Sequence, residues 1–522
     1  MMKKLLAAAL TLFAAALIVL FVNQRETPLE SDSNNTAELV ILHTNDHHGS
    51  LYNRDGHGGV SVRAALVEKL RQENPDALLL DAGDINTGMA ESNMFLAQPD
   101  IIAYNRMRYD AVAVGNHEFD LSQTQFESQR KSAQFPFVCA NVRDKSAKEL
   151  VVNPYIVKEV NGVRVGIFGL LIKQESLLSG DSMYIAIDSE IETARKMVSL
   201  LREKEKAKVV IALTHLGNKT LFDGHVTSVD LGNQVEGLDL IIDGHAHTHL
   251  DKPIFARFAP VVTANAYGRY IGKAVLTVSP AGVKLKDWSC LPITDSLPQD
   301  AELSAELLPF KQRSDKELST VIARASEKFV LNEKQSRYGE HPLCDLVCDS
   351  VCRYQRQKNA PVDFSIQNGG VFRCGLPAGN ITKGDIKTAL PFENSIVLFS
   401  LKGTDVIRLF DFIGGIYQSA GGFGQVSKEI RYAITYENGK NGKISDLTFN
   451  GKPIDPEKTY RIATNSYIFS GGDGYDFSAA QDVVDTAVMI DDAVIEILPL
   501  LPQPLVPQTD GRIIVMGGIQ AE

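Results

Sequence analysis

The sequence predicts an α/β fold organised as two domains, and three observations carry that prediction. Five hydrophobic runs in the first half read as buried strands, and each of them stops at a residue suited to holding a divalent cation. Beyond residue 290 the composition changes: a proline-led stretch turns helical and charged, and then helix and strand patterns alternate without metal-type endings. The 522 residues, 44% hydrophobic and 22% charged, supply material for two sizeable cores.

The runs are AELVILHTNDHH (37–48), DALLLDAGD (76–84), YDAVAVGNHEFD (109–120), AKVVIALTH (207–215) and LDLIIDGHAH (238–247). Short apolar, β-branched runs are strand-like, and in α/β sheets ligands collect where strand ends converge. The endings supply Asp46, His48, Asp84, Asn116, His215, His245 and His247. This oxygen and nitrogen set has no thiolate and suits Zn, Mn, Fe or Co better than a sulfur-rich structural zinc site. Seven ligands are too many for one tetrahedral ion but fit two ions if a carboxylate bridges them, and Asp84 is the natural bridge. Two ions roughly 3.5–4 Å apart suit in-line displacement at phosphorus. Of the remaining histidines, His43 lies within a strand run and reads as a core residue with one hydrogen bond. His47 alternates with His48 and so points away from the metals. His57, His225 and His249 read as loop residues, with His249 near enough to support the ligands.

A net charge of -11 gives no global attraction for polymeric nucleic acid or anionic lipid, so an anionic substrate must be captured by local cations. At the N-terminus, Lys3 and Lys4 precede an apolar stretch, Leu5–Val22, and a polar segment. Residues 1–22 read as a signal peptide or an N-terminal membrane anchor, the anchor slightly favoured, with 23–36 a polar linker. Either reading places the bulk of the chain on the periplasmic or extracellular face, held at the inner membrane if the segment is uncleaved. Six cysteines are present. Cys344, Cys348 and Cys352 share one face of an expected helix and read as small buried residues. The segment 291–318 reads as a linker and connecting helix, and the boundary is set at 296–325, between domains at 37–295 and 326–520.

In combination, D-x-H, G-D, G-N-H-E-F-D, T-H and G-H-x-H resemble the calcineurin-like metallophosphoesterases, and the whole chain resembles the 5′-nucleotidase family. That resemblance implies a four-layer α/β/β/α sandwich followed by a C-terminal α/β nucleotide-recognition domain. It assigns Asp46, His48, Asp84 and His247 to one metal, and Asp84, Asn116, His215 and His245 to the other. Two divalent ions are implied, Zn, Mn or Co foremost and Mg as a further option. His117 and Asp120 become a catalytic dyad in which the carboxylate orients and charges the imidazole.

The second domain is mute on physics alone, and the resemblance gives it roles. NGGVFR (368–373), LPFEN (390–394) and NSYIFSGGDGYDF (465–477) match family elements, as does R-x-x-E at Arg337–Glu340. Carried over, Arg337 and Arg373 grip phosphate, Phe392 and Tyr467 sandwich the base, Asp473 accepts from ribose hydroxyls and Asn394 contacts the base. Glu393 and Asn394 stand where many relatives have a Gly-containing turn, and two arginines match where some relatives use three. The implied activity is metal-dependent hydrolysis of 5′-nucleotides to nucleoside and phosphate, with domain rotation about a hinge near 300–325. Alternatives are pyrophosphate hydrolysis of UDP-sugars, NAD or nucleoside di- and triphosphates, a 2′,3′-cyclic phosphodiesterase/3′-nucleotidase activity, and a non-catalytic surface nucleotide-binding protein. No protein partner is evident from the sequence.

Overall fold

The computed structural model describes residues 36–519, apart from 54–55, 121, 174–183, 220–224, 333, 393 and the side chain of Ala487. The expected targeting or anchor segment at 1–22 lies outside the described residues, among which no helix is long and apolar enough to cross a membrane. All five runs are strands: Ala37–Thr44, Leu78–Asp81, Ala111–Ala113, Val209–His215 and Leu240–Asp243.

These strands lie in two sheets. The first runs, edge to edge, Gly282–Pro292, Tyr270–Ser279, Ala37–Thr44, Leu78–Asp81, Ala111–Ala113 and Phe137–Val138. The second runs Ile254–Phe255, Pro260–Val262, Leu240–Asp243, Val209–His215, Val163–Leu171 and Tyr155–Val160. The sheets face each other across one core. Ile41, Leu78, Leu80 and Ala111 meet Ile167, Val209, Ile211 and Leu240 there. Alternate residues, such as Leu42, Leu79, Val210 and Ile241, join a second core with the helices. Strands covered on both faces must be apolar at nearly every position, which is why their runs are continuous rather than alternating. The result is a four-layer α/β/β/α sandwich.

The expected connecting helix spans Ala301–Leu318, opened by the Asp300 carboxylate accepting the Leu303 N–H at 2.9 Å. It rests on the first domain through Phe310 against Phe95, edge to face with centroids 5.0 Å apart. Arg106 adds ion pairs with Asp300 and Glu302. Strand Val321–Ala325 then pairs with Gly379–Thr382, already within the C-terminal half. That half carries a five-stranded sheet, with Phe364–Asn368 between Gly424–Val426 and Thr459–Asn465, then Ser395–Lys402 and Gln481–Met489. A separate four-stranded sheet is built around Ile430–Glu437 and Lys440–Phe449. Cys344, Cys348 and Cys352 are buried along helix Pro342–Gln357.

Three histidines show how local context decides burial. His43 is buried, accepts from the Trp288 indole at 3.3 Å, and has its pKa pushed down to about 3 by burial. His47 turns from the metal side to meet Asp100 at 3.1 Å. His225 lies in a loop, as expected, but is buried there, with Nε2 2.6 Å from the Leu216 carbonyl.

Ile211 lies wholly inside the inter-sheet core. We expect Ile211→Ala to lower stability by about 2–5 kcal/mol, read as a reduced urea midpoint at unchanged slope.

Candidate active site

Asp46 and His48 follow the first strand, Asp84 the second, Asn116 the third, and His215 ends the strand Val209–His215; His245 and His247 follow Leu240–Asp243. Five of these ligand candidates have left-handed backbone, with φ of 51° at Asp46, 49° at His48, 58° at Asp84, 74° at His245 and 50° at His247. Non-glycine residues adopt this region at a cost, and Asp, Asn and His are the types most often found there. Main-chain bonds fix the loops: Asp46 N–H to the Gly83 carbonyl at 2.9 Å, and His48 N–H to that of Asp84 at 3.0 Å. The His245 N–H donates to the Asp46 carboxylate at 2.9 Å, tying the two sheets together. Glycine is required at 115, where a Cβ would sit 2.1 Å from Asp84 Oδ1.

The candidate ligand atoms converge. Asp46 Oδ1 lies 3.5 Å from His247 Nε2 and 3.8 Å from His215 Nε2. Asp84 Oδ2 lies 2.9 Å from His215 Nε2, 3.8 Å from His48 Nε2 and 4.0 Å from His117 Nε2. His245 Nδ1 meets Asn116 Oδ1 at 2.9 Å. Three sets of donor atoms lie within 4.8 Å of one another: Asp46 with His48 and His247, Asp84 with His215 and His245, and His48 with Asp84 and His117.

The donor set fits divalent cations, and the tautomers make the case. The Thr87 carbonyl lies 2.7 Å from His48 Nδ1, and the Ala82 carbonyl 2.8 Å from His215 Nδ1. A carbonyl only accepts, so both rings carry hydrogen on Nδ1 and turn Nε2 into the site, where loss of any proton it holds leaves a lone pair for a cation. His48 Nε2 then faces His247 Nε2 at 3.0 Å. His215 Nε2 is buried beside two carboxylates, Asp84 at 2.9 Å and Asp46 at 3.8 Å. A cluster of lone pairs and carboxylates sealed from water is a cation site.

Electrostatics agree. Burial alone would raise the Asp84 carboxyl, but His215 and His117 outweigh it and hold it well below the carboxylate range. Burial opposes charge on His215, yet Asp84 and Asp46 push its pKa up to about 10. The field at this point is that of anions awaiting positive charge.

His117 and Asp120 flank a short 3-10 turn, His117–Phe119, whose three-residue period puts both side chains on one side. Nδ1 meets Asp120 Oδ2 at 2.5 Å, leaving Nε2 turned to the site. Burial disfavours the imidazolium, but Asp120 and Asp84 more than offset this and raise its pKa.

The C-terminal domain closes over the same point. Phe392 stacks on His117, with centroids 5.6 Å apart and planes 25° from parallel, and the Arg373 guanidinium lies over the same ring, 4.9 Å from its centroid. The charge of Arg373 reaches both His48 and His117. The Asp473 carboxylate accepts from Asn368 Nδ2 at 2.7 Å and from the Tyr467 hydroxyl at 3.3 Å. Burial raises its pKa, against the opposing charges of Arg337 and Arg373. Asn394 Oδ1 accepts from the Ser466 hydroxyl at 3.4 Å, beside Tyr467. Phe392 is engaged by an imidazole and a guanidinium, and Tyr467 by the Asp473 carboxylate.

Sequence reasoning passed over two residues here. Glu118 is buried and accepts from the N–H groups of Gly115 (2.6 Å), Asp84 (3.0 Å) and Ile85 (2.9 Å). Burial, and then the Asp84 charge, raises its pKa to about 7. It sits in plain view inside G-N-H-E-F-D. Tyr267 packs against His48 and His247 at 5.5 and 5.2 Å, its N–H bonded to the Asp46 carbonyl at 2.6 Å. It had no ligand-type signal to mark it.

Residues 39–249 match the calcineurin-like phosphoesterase family, and residues 321–481 match the 5′-nucleotidase C-terminal domain. The chain is a member of the 5′-nucleotidase family. It is 29% identical to protein UshA of Yersinia enterocolitica, across 90% of this chain and 92% of that one. It is 28% identical to a 5′-nucleotidase of Vibrio vulnificus, across 91% and 92%. A 5′-nucleotidase precursor of Thermus thermophilus, 29% identical, superposes with a TM-score of 0.79 over 92% of this chain and 99% of that chain. As a family member the chain is a metallophosphoesterase-type hydrolase of nucleotides.

Glu118→Ala would strand three buried N–H groups behind Asp84. We expect a loss of stability of at least about 2 kcal/mol together with lower bound metal per chain, measured by thermal unfolding and elemental analysis.

Proposed function

We propose that this 5′-nucleotidase family member hydrolyses 5′-nucleoside monophosphates to nucleoside and phosphate, with two divalent cations in the cage formed by Asp46, His48, Asp84, Asn116, His215, His245 and His247. One observation carries the reading: the dyad imidazole, the lone-pair cage and Arg373 from the other domain all face one point. When bound, the ions supply charge neutralisation and a water acidified toward neutrality. Zn, Mn and Co suit the donor set best, with Mg as a further option.

The chain's own groups account for the rest. His117, charged through Asp120, faces the phosphoryl oxygens through Nε2 and can pass a proton to the departing ribose oxygen. Arg373 and Arg337 add planar, permanently charged donors matched to phosphate oxygens. Phe392 and Tyr467 supply faces on which any base can stack. Asp473, its position fixed by Asn368 and Tyr467, is an acceptor for sugar hydroxyls, and Asn394 lies at the base end. The charged-then-apolar pattern of residues 3–22 supports export of the enzyme from the cytoplasm.

The test is a phosphate-release panel of AMP, ADP, ATP, 3′-AMP, 2′,3′-cyclic AMP, UDP-glucose and NAD with Mn, Co, Zn or Mg. AMP should lead and 3′-AMP should be poor; a lead for UDP-glucose or NAD would replace the reading with pyrophosphate hydrolysis. His117→Ala should lower kcat by about 10²–10⁴-fold with little change in KM, and unchanged turnover would remove it from the mechanism. Dialysis against a chelator should abolish phosphate release and lower the unfolding temperature, both restored by Mn or Co.

A further inference from the structure

We propose that Asn93 is the positioning residue that locks the Leu-Pro-Phe loop of the C-terminal domain onto the metal loop, and so sets Phe392 against His117. The inference rests on the nucleotidase reading for its kinetic consequence, and on geometry alone for the contact.

Asn93 closes the four-residue helix Ala90–Asn93, at the end of the loop that leaves Asp84. Its amide is used at both ends. Oδ1 accepts the Gly88 N–H at 3.3 Å, and Nδ2 donates to the Pro391 carbonyl at 2.6 Å, across the domain boundary. Only one orientation of the amide satisfies a donor on one side and an acceptor on the other. A carboxylate at this position would accept from Gly88 but repel the Pro391 oxygen.

Both ends lead directly to the site. Gly88 is pressed against His48: a Cβ there would lie 2.6 Å from the His48 carbonyl oxygen, and the next residue, Met89, donates its N–H to that same oxygen at 3.0 Å. Pro391 immediately precedes Phe392, whose ring contacts both His117 and Arg373. Two residues past Asn93, Phe95 packs on Phe310 of the connecting helix, with Arg313 over its ring at 5.4 Å. One short segment thus touches the metal loop, the recognition loop and the interdomain helix. A cleft lined by Thr87, Asn93, Asp120 and Pro391 runs alongside.

The test uses the full, metal-loaded chain with Asn93→Ala and Asn93→Asp. Kinetics are measured with AMP and with bis(4-nitrophenyl) phosphate, which offers no base to the recognition loop, and the radius of gyration is measured by small-angle scattering. We expect kcat/KM for AMP to fall about 3- to 10-fold, as for one neutral hydrogen bond, mostly through KM and further for Asp than for Ala. Turnover of the diester should stay within about twofold, and the radius of gyration should rise. Unchanged AMP kinetics with unchanged scattering would overturn the proposal. So would equal losses on both substrates, which would place Asn93 in the metal loop's own stability. If the unaltered enzyme released nothing from AMP, the nucleotidase reading would fail, and the scattering of the two variants would still decide the contact.

Discussion

The Asp84 carboxylate, sealed between the ends of two facing sheets, sets the terms for the groups around it. It is deprived of water, yet it is held ionised by His215 and His117, and its own N–H is bonded to a second buried carboxylate, Glu118. Burial of that much negative charge is stable only with positive charge close by. The sandwich therefore makes sense as a cation-holding frame. Two sheets supply ligands from opposite sides, the His245 N–H on the Asp46 carboxylate pins one side to the other, and left-handed turns bring the donors inward.

The same constraint explains why a second domain is needed. A pocket furnished with carboxylates and lone pairs repels a nucleotide until cations balance it, and nothing in the cage selects a sugar or a base. The C-terminal domain brings permanent cations in Arg373 and Arg337, aromatic faces in Phe392 and Tyr467, and a hydroxyl acceptor in Asp473. Phe392 and Arg373 reach the dyad itself, so the two halves share one chemical volume rather than neighbouring ones.

The fold was legible because strands buried on both faces leave continuous apolar runs, and because Asp, His and Asn at their ends repeat five times. The convergence of Asp46, Asp84 and His215 could be anticipated from that grammar. The contact of Phe392 with His117 could not, since residues 275 positions apart leave no joint periodicity. A sequence motif names a ring but not the partner its domain's position gives it. Tyr267 and Asn93 escaped notice because a phenol and an amide in a loop look the same whether they serve a site or face solvent. The burial of His225 within its loop depends on the fold around Leu216, not on its neighbours in the chain.

The histidines are locked in two different ways. His48 and His215 are oriented by the main-chain carbonyls of Thr87 and Ala82. His117 is oriented by the side chain of Asp120. Every amino acid brings a carbonyl, so no single substitution at 87 or 82 deletes the group that sets the metal-facing nitrogen. Asp120 can be lost or exchanged in one step. Drift in sequence can therefore retune or silence the reactive imidazole while leaving the cage intact, so a descendant that had lost its chemistry would keep the means to bind metal.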